Sequence, residues 1–124
     1  MDELNIRNYA HIGDAVYEVF IREKVIYQTS NSKKLHKFTV HFVNAEFQTN
    51  LLEKLISVLT EEEKDLARRG RNIPTSSARR INKNLHAQAT ALEVLLGYNY
   101  VHNKDRYQEL LLAIDAEIDF SPLV

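Results

Sequence analysis

This sequence predicts an all-α fold, and three observations predict it. Glycine and proline are scarce, three and two in 124 residues, and no Asn-Gly or Asp-Gly pair marks a hairpin turn. Apolar residues recur at helical spacing between short polar breaks. Leu, Ala, Glu, Lys and Gln, which lose little freedom on entering a helix, are plentiful.

The first helix is expected over residues 6–27, with Ile12, Val16, Val19, Phe20 and Ile26 as its apolar stripe and Arg7, His11, Asp14, Glu18 and Arg22 opposite. Thr29-Ser-Asn-Ser32 follows as a loop whose side chains can cap a second helix from about Lys33. Leu35, Phe38, Phe42, Val43, Phe47, Leu51, Leu55 and Val58 carry the spacing on to about Leu59, a span long enough to predict a break near 41–44. Thr60-Glu-Glu-Glu63 has the spacing of a capping box and opens a helix that ends near Gly70, placed as a C-cap glycine. Residues 71–80, with Pro74 and Thr75-Ser-Ser77, read as a loop. A helix from about 80 or 82 to Val101 buries Leu85, Ala89, Leu92, Leu96 and Tyr100. Asn103 caps the last helix, Lys104 to about Ile118. No repeat and no sustained heptad pattern is present.

Length predicts one domain over 1–124 that buries roughly two-thirds of its unfolded surface. The absence of cysteine excludes a disulfide framework and thiolate chemistry and suits a reducing cytosol. No apolar run approaches the roughly 18 residues that span a bilayer, and Met1-Asp-Glu-Leu-Asn5 lacks the start of a signal peptide, so the expectation is a soluble cytoplasmic protein with no membrane partner. Net charge is −1, but its distribution is uneven. No acid falls between Leu66 and Leu92, whereas Arg68, Arg69, Arg71, Arg79, Arg80 and Lys83 do: either a solvated loop or a field that attracts phosphate.

The acids carry more information. Asp14 and Glu18 stand one turn apart beside Gly13, a like-charge pair that costs a helix about 0.2–0.5 kcal/mol unless a cation intervenes. That cation is either an arginine, Arg22 or Arg7, or a bound divalent metal. Glu93 is the sole acid of the helix over 82–101 and lies among apolar neighbours, so it must be exposed, paired with an arginine or metal-bound. Gly13 and Gly97 each cost their helices about 0.8–1.0 kcal/mol relative to alanine. Both are understandable if the two helices approach closely and bring Asp14 and Glu93 together. Carboxylates so placed repel each other unless a divalent cation joins them.

His11-Ile-Gly-Asp-Ala-Val-Tyr-Glu18 resembles the signature helix of the ribonuclease III family, and Ala91-Leu-Glu-Val-Leu-Leu-Gly-Tyr-Asn-Tyr100 resembles that family's second acidic motif. Lys34-Leu-His-Lys37, Phe42-Val-Asn-Ala45 with Gln48, and Arg68-Arg-Gly-Arg-Asn72 resemble the small catalytic-domain-only subclass, Mini-ribonuclease III. The resemblance spans about residues 9–112. It implies a helical homodimer that hydrolyses double-stranded RNA to 5′-phosphate and 3′-hydroxyl ends, with a role in maturing the large-subunit (23S) ribosomal RNA precursor. It further implies Asp14 and Glu93 as ligands of Mg²⁺, with Mn²⁺ a possible substitute, and Glu18 as a further catalytic acid. Larger members carry two more acids, at the positions held here by Ala10 and Thr90, which leaves fewer ligands for a second metal. No separate double-stranded-RNA-binding domain fits this length, so Arg68, Arg69, Arg71, Asn72, Arg79, Arg80 and Lys83 are the expected RNA contacts. The rival reading is a catalytically silent RNA-binding or ribosome-associated domain of the same fold.

Other chemistries lack support. The five histidines show no metal-ligand spacing and read as surface or interface residues. Nucleophile elbow, P-loop and dinucleotide fingerprint are all absent.

Overall fold

The computed structural model describes residues 3–74 and 83–121. Its elements are α1 (Ile6–Val25), α2 (Ser32–Val43), α3 (Ala45–Leu55), a 3-10 turn (Ile56–Val58), α4 (Glu61–Arg71), α5 (Lys83–His102) and α6 (Lys104–Glu117). No strand occurs among the described residues, as the apolar spacing predicts.

Short polar side chains start the helices. Asn5, Asn31, Asn44 and Asn103 each accept a hydrogen bond from a backbone N–H of the first turn that follows, and Thr60 and Glu63 close a full capping box. Asn44 makes the expected break: its carbonyl caps α3 while its amide donates to the carbonyls of Val40 and His41 at the end of α2.

α5 is the central element. It packs on α1, α3, α4 and α6, and most extensively on α1. Ala89, Ala91, Leu92, Val94, Leu95, Leu96, Gly97 and Asn99 are buried, so most of its circumference faces protein. Each such leucine contributes roughly 1.5–3 kcal/mol by leaving water.

Four local expectations need correction. The core face of α1 consists of Tyr9, Gly13, Val16, Tyr17, Phe20, Ile21 and Val25, whereas Val19 and Ile26 are more than half exposed. The stripe is turned because residues outside it join the core: Tyr9 and Gly13 meet α5, and Tyr17 donates to the Phe42 carbonyl of α2. Gly70 is no C-cap: it lies within α4, which ends on Asn72. A β-carbon there would stand 2.9 Å from the Ala91 Cα, so this glycine serves the α4–α5 contact. Leu85 and Tyr100 are half-buried, and the chain after Leu55 tightens into the 3-10 turn instead of continuing α3. Most of the loop expected over 71–80 lies outside the described residues.

A buried ionic cluster ties α4 to α5 and α6. Glu63, 5% exposed, receives hydrogen bonds from Arg106 at 2.7 and 2.9 Å and from the Asn99 amide at 3.3 Å. Arg106 also donates to the Val58 carbonyl, fixing the 3-10 turn. In the sequence Glu63 reads only as a capping residue; its second role depends on Arg106, far along the chain.

Candidate active site

The α1–α5 crossing is built on two glycines. A β-carbon on Gly13 would collide with the Glu93 carbonyl oxygen, and one on Gly97 with the Tyr9 carbonyl oxygen. Neither glycine has positive φ, so both serve close approach and not an unusual backbone conformation. Side by side, the helix backbones bring Asp14 of α1 to the edge of Glu93 of α5, as the paired glycines predict.

Glu93 is half-buried and its carboxyl faces that of Asp14. Burial pushes its pKa up to about 7, the neighbouring Asp14 charge adds to this, and a hydrogen bond from Gln48 opposes it. The Gln48 amide donates to Glu93 Oε2 at 3.4 Å from the first turn of α3, and Gln48 itself is buried. Tyr17, one turn beyond Asp14, is buried below the pair. Its hydroxyl donates to the Phe42 carbonyl at 2.5 Å, and burial followed by the Glu93 charge raises its pKa well above the usual phenol range. Four chain segments therefore meet at one place: α1, the end of α2, the start of α3, and α5.

The other expected site residues are distributed differently. Glu18 turns along α1 and pairs with Arg22 at 2.5 Å, the nearer of the two arginines offered by the sequence. Among the described residues no group of three His, Asp or Glu side chains converges as a metal cage; Asp14 and Glu93 form a pair without a third acid. Arg68 is bound to Asp65 and Arg69 to Glu3. Arg71 ends α4, Asn72 caps it, and Lys83 is exposed at the start of α5. Arg79 and Arg80 lie outside the described residues. His102 is half-buried, with Nε2 2.6 Å from the Tyr9 hydroxyl, while His11, His36 and His41 are exposed.

The contribution of Gln48 to the site is not readable from its own neighbourhood. It shares a face with Leu52 and Leu55, four and three residues apart in turn, and a polar residue in that register was the available signal. Tyr17 was available likewise, in line with Gly13 and Phe20.

Comparison with known proteins agrees with this geometry. The model of the Ribonuclease III domain matches residues 7–104, which include both glycines and both acids. Mini-ribonuclease 3 of Synechocystis sp. is 41% identical over 106 residues, 86% of this chain and 74% of that protein. Mini-ribonuclease 3 of Gloeobacter violaceus is 38% identical over 120 residues, 93% and 89% of the two chains. A crystal structure of a Fusobacterium nucleatum protein aligns at a TM-score of 0.73 and 30% identity, covering 89% of this chain and 91% of that one. The chain belongs to the ribonuclease III family, in its Mini-ribonuclease 3 group, and is an endoribonuclease.

Proposed function

We propose that this endoribonuclease cuts double-stranded RNA with Mg²⁺ held between Asp14 and Glu93, and that it acts as a cytoplasmic homodimer in maturation of the 23S ribosomal RNA precursor. The observation that carries the reading is the glycine-lined crossing of α1 and α5, which sets two carboxylates together with no cationic side chain paired to either among the described residues. The donor set fits Mg²⁺. That ion takes hard oxygens, keeps several waters and needs only one or two protein carboxylates. Mn²⁺ accepts the same donors.

When bound, such an ion lowers the pKa of a coordinated water and stabilises charge developing on the attacked phosphate. The chain's part is to hold it and to stay rigid. Gln48 restrains Glu93 Oε2, the helix contact fixes Asp14, and the Tyr17–Phe42 hydrogen bond anchors the end of α2 beside them. Water adds its oxygen to phosphorus and the 3′ oxygen leaves with a proton, giving 5′-phosphate and 3′-hydroxyl ends. Glu18 is assigned as a further acid at the edge of this site. Its pairing with Arg22 is exposed and holds it by less than about 1 kcal/mol, so the carboxylate is easily exchanged to another partner. Arg68, Arg69, Arg71, Asn72, Arg79, Arg80 and Lys83 are assigned to RNA backbone contact. Val19 on α1 and Ile26 at its C-terminal cap, both apolar and exposed, suit burial against a second copy. No helix of the described residues is long and apolar enough to cross a membrane.

The test is cleavage of a long perfect RNA duplex with Mg²⁺ by the wild type and by Glu93→Ala, with EDTA added to a parallel reaction. Products with 5′ phosphates, lost on EDTA treatment and in the variant while duplex binding survives, are expected. Equal cutting by both proteins would move the chemistry elsewhere.

A further inference from the structure

α2 carries Lys33, Lys34, His36, Lys37 and His41, and no Asp or Glu stands between Glu23 and Glu46. All five side chains are exposed. α4 arranges its charges as helix physics prefers, with Glu61, Glu62 and Glu63 in the first turn and Arg68, Arg69 and Arg71 in the last. α2 does the reverse. Its first turn has no acid, and Lys33 and Lys34 sit where the helix already presents positive partial charge. Lys37 then lies three and four residues beyond them, within repulsive reach of both.

The two basic groups also differ in their partners. Arg68 and Arg69 are neutralised by Asp65 and Glu3, but none of the three α2 lysines has an ion-pair partner among the described residues. Charges arranged against the stability of their own helix, and left uncompensated, fit an external polyanion.

Their position fits too. α2 lies along α1, where Ser32, Leu35, His36 and Thr39 line a cavity of about 240 Å³ with Arg22, on the stripe of α1 that also holds Asp14 and Glu18. At its other end the Phe42 carbonyl receives the Tyr17 hydroxyl beside Glu93. His41 stacks edge-on to Phe42 there. From Lys33 to His41 the helix advances about 12 Å, so the basic face runs from the far end of α1 to the mouth of the acidic site.

We propose that the outer face of α2 is a phosphate-gripping surface for duplex RNA, with Lys33, Lys34 and Lys37 neutralising backbone phosphates and His36 and His41 flanking them. Recognition is of A-form phosphate geometry and not of bases. The proposal rests on the reading above that duplex RNA is the substrate, and it adds α2 to the basic surface that the sequence alone placed at residues 68–83, where Arg71 and Lys83 likewise have no ion-pair partner among the described residues.

The experiment is binding of a perfect RNA duplex across a salt series, in a Glu93→Gln background so that nothing is cut. Four proteins are compared: the background itself, Lys33→Gln/Lys34→Gln/Lys37→Gln, the same three positions changed to Arg, and Lys54→Gln/Lys64→Gln/Lys104→Gln as a control of equal charge. Each phosphate contact contributes about 0.9 to the slope of log affinity against log salt, so the α2 glutamine triple should lose about 2–3 units of slope and at least about tenfold in affinity at low salt. The arginine triple and the control should keep both. Equal affinity and slope in the α2 triple, or an equal loss in the control, would overturn the proposal. A background protein that binds no duplex would overturn the substrate reading and this proposal with it.

Discussion

Glu63 and Glu93 both carry a carboxylate into a helix contact, and their surroundings pull them in opposite directions. Burial alone would raise Glu63, but hydrogen bonds from Arg106 and from the Thr60 backbone outweigh it and hold the carboxyl below its ordinary range. Glu93 meets a second carboxylate instead, and only the Gln48 amide opposes the rise to about 7. Among the described residues the fold supplies a cation to the first acid and none to the second. The Glu63 carboxylate is thus satisfied within the chain, whereas on the proposed reading the Glu93 carboxylate is left to be satisfied by a bound ion.

Neutralising each acid without changing its size tests that contrast most sharply. If Glu93 holds the metal as proposed, Glu93→Gln should lower duplex cleavage at least about a thousandfold, because a metal ion stabilises the transition state by several kcal/mol, and should leave the metal-free fold intact. Glu63→Gln should do the converse: unfolding midpoints in urea should report a loss of about 2–4 kcal/mol, since Arg106 loses its buried counterion and keeps only the exposed Glu109 at 3.3 Å. Its rate per folded molecule should stay close to wild type. Similar losses of stability in both variants would dissolve the distinction.

The glycines offer the next largest effect. Alanine at Gly13 or Gly97 places a β-carbon on a backbone carbonyl that cannot move without parting the helices, so a loss of about 1–3 kcal/mol is expected, with slower cleavage as Asp14 and Glu93 separate. Gly70→Ala meets the Ala91 Cα at 2.9 Å and otherwise a valine methyl, and should cost less and leave cleavage unaltered. Thermal melts and initial rates on the same preparations would separate the two.

Acidity gives a smaller, signed effect. The folded value for Glu93 of about 7 lies above its ordinary 4.5, so in EDTA the folded state holds the proton more tightly. The stabilisation from that proton is fully present below about 4.5 and is lost as pH rises through about 7, on the order of 1–3 kcal/mol. Glu63 runs oppositely: its contribution is present above 4.5 and disappears as pH falls through its lowered value. Denaturant melts between about pH 5 and pH 8 should show the first loss in wild type but not in Glu93→Gln, and added Mg²⁺ should restore stability only to wild type. The smallest effect belongs to the exposed pair: Arg22→Ala should cost less than about 1 kcal/mol in the same melts.

Much of the architecture was legible before folding. The capping residues Asn31, Thr60 and Asn103, the break at Asn44 and the order of six helices follow from local chemistry, because caps and helical periodicity act within a few residues of themselves. Gly13 with Asp14, and Gly97 with Glu93, also pointed to each other, since a glycine beside an acid in an otherwise apolar helix has few structural reasons to exist.

The tertiary structure decided matters that depend on partners distant in sequence. Which side of α1 faces the core turned on Tyr9 and Gly13 meeting α5 and Tyr17 meeting α2, and the role of Gly70 on Ala91. The identity of a charge's partner is likewise a property of packing: Arg106 for Glu63, Asp14 and Gln48 for Glu93, Glu3 for Arg69. The sequence by itself determined where helices begin, where they break and which positions carry unusual chemistry. Only the packed structure decided which of those charges are neutralised, because Coulomb energy and desolvation depend on distance and burial in space and not on spacing along the chain.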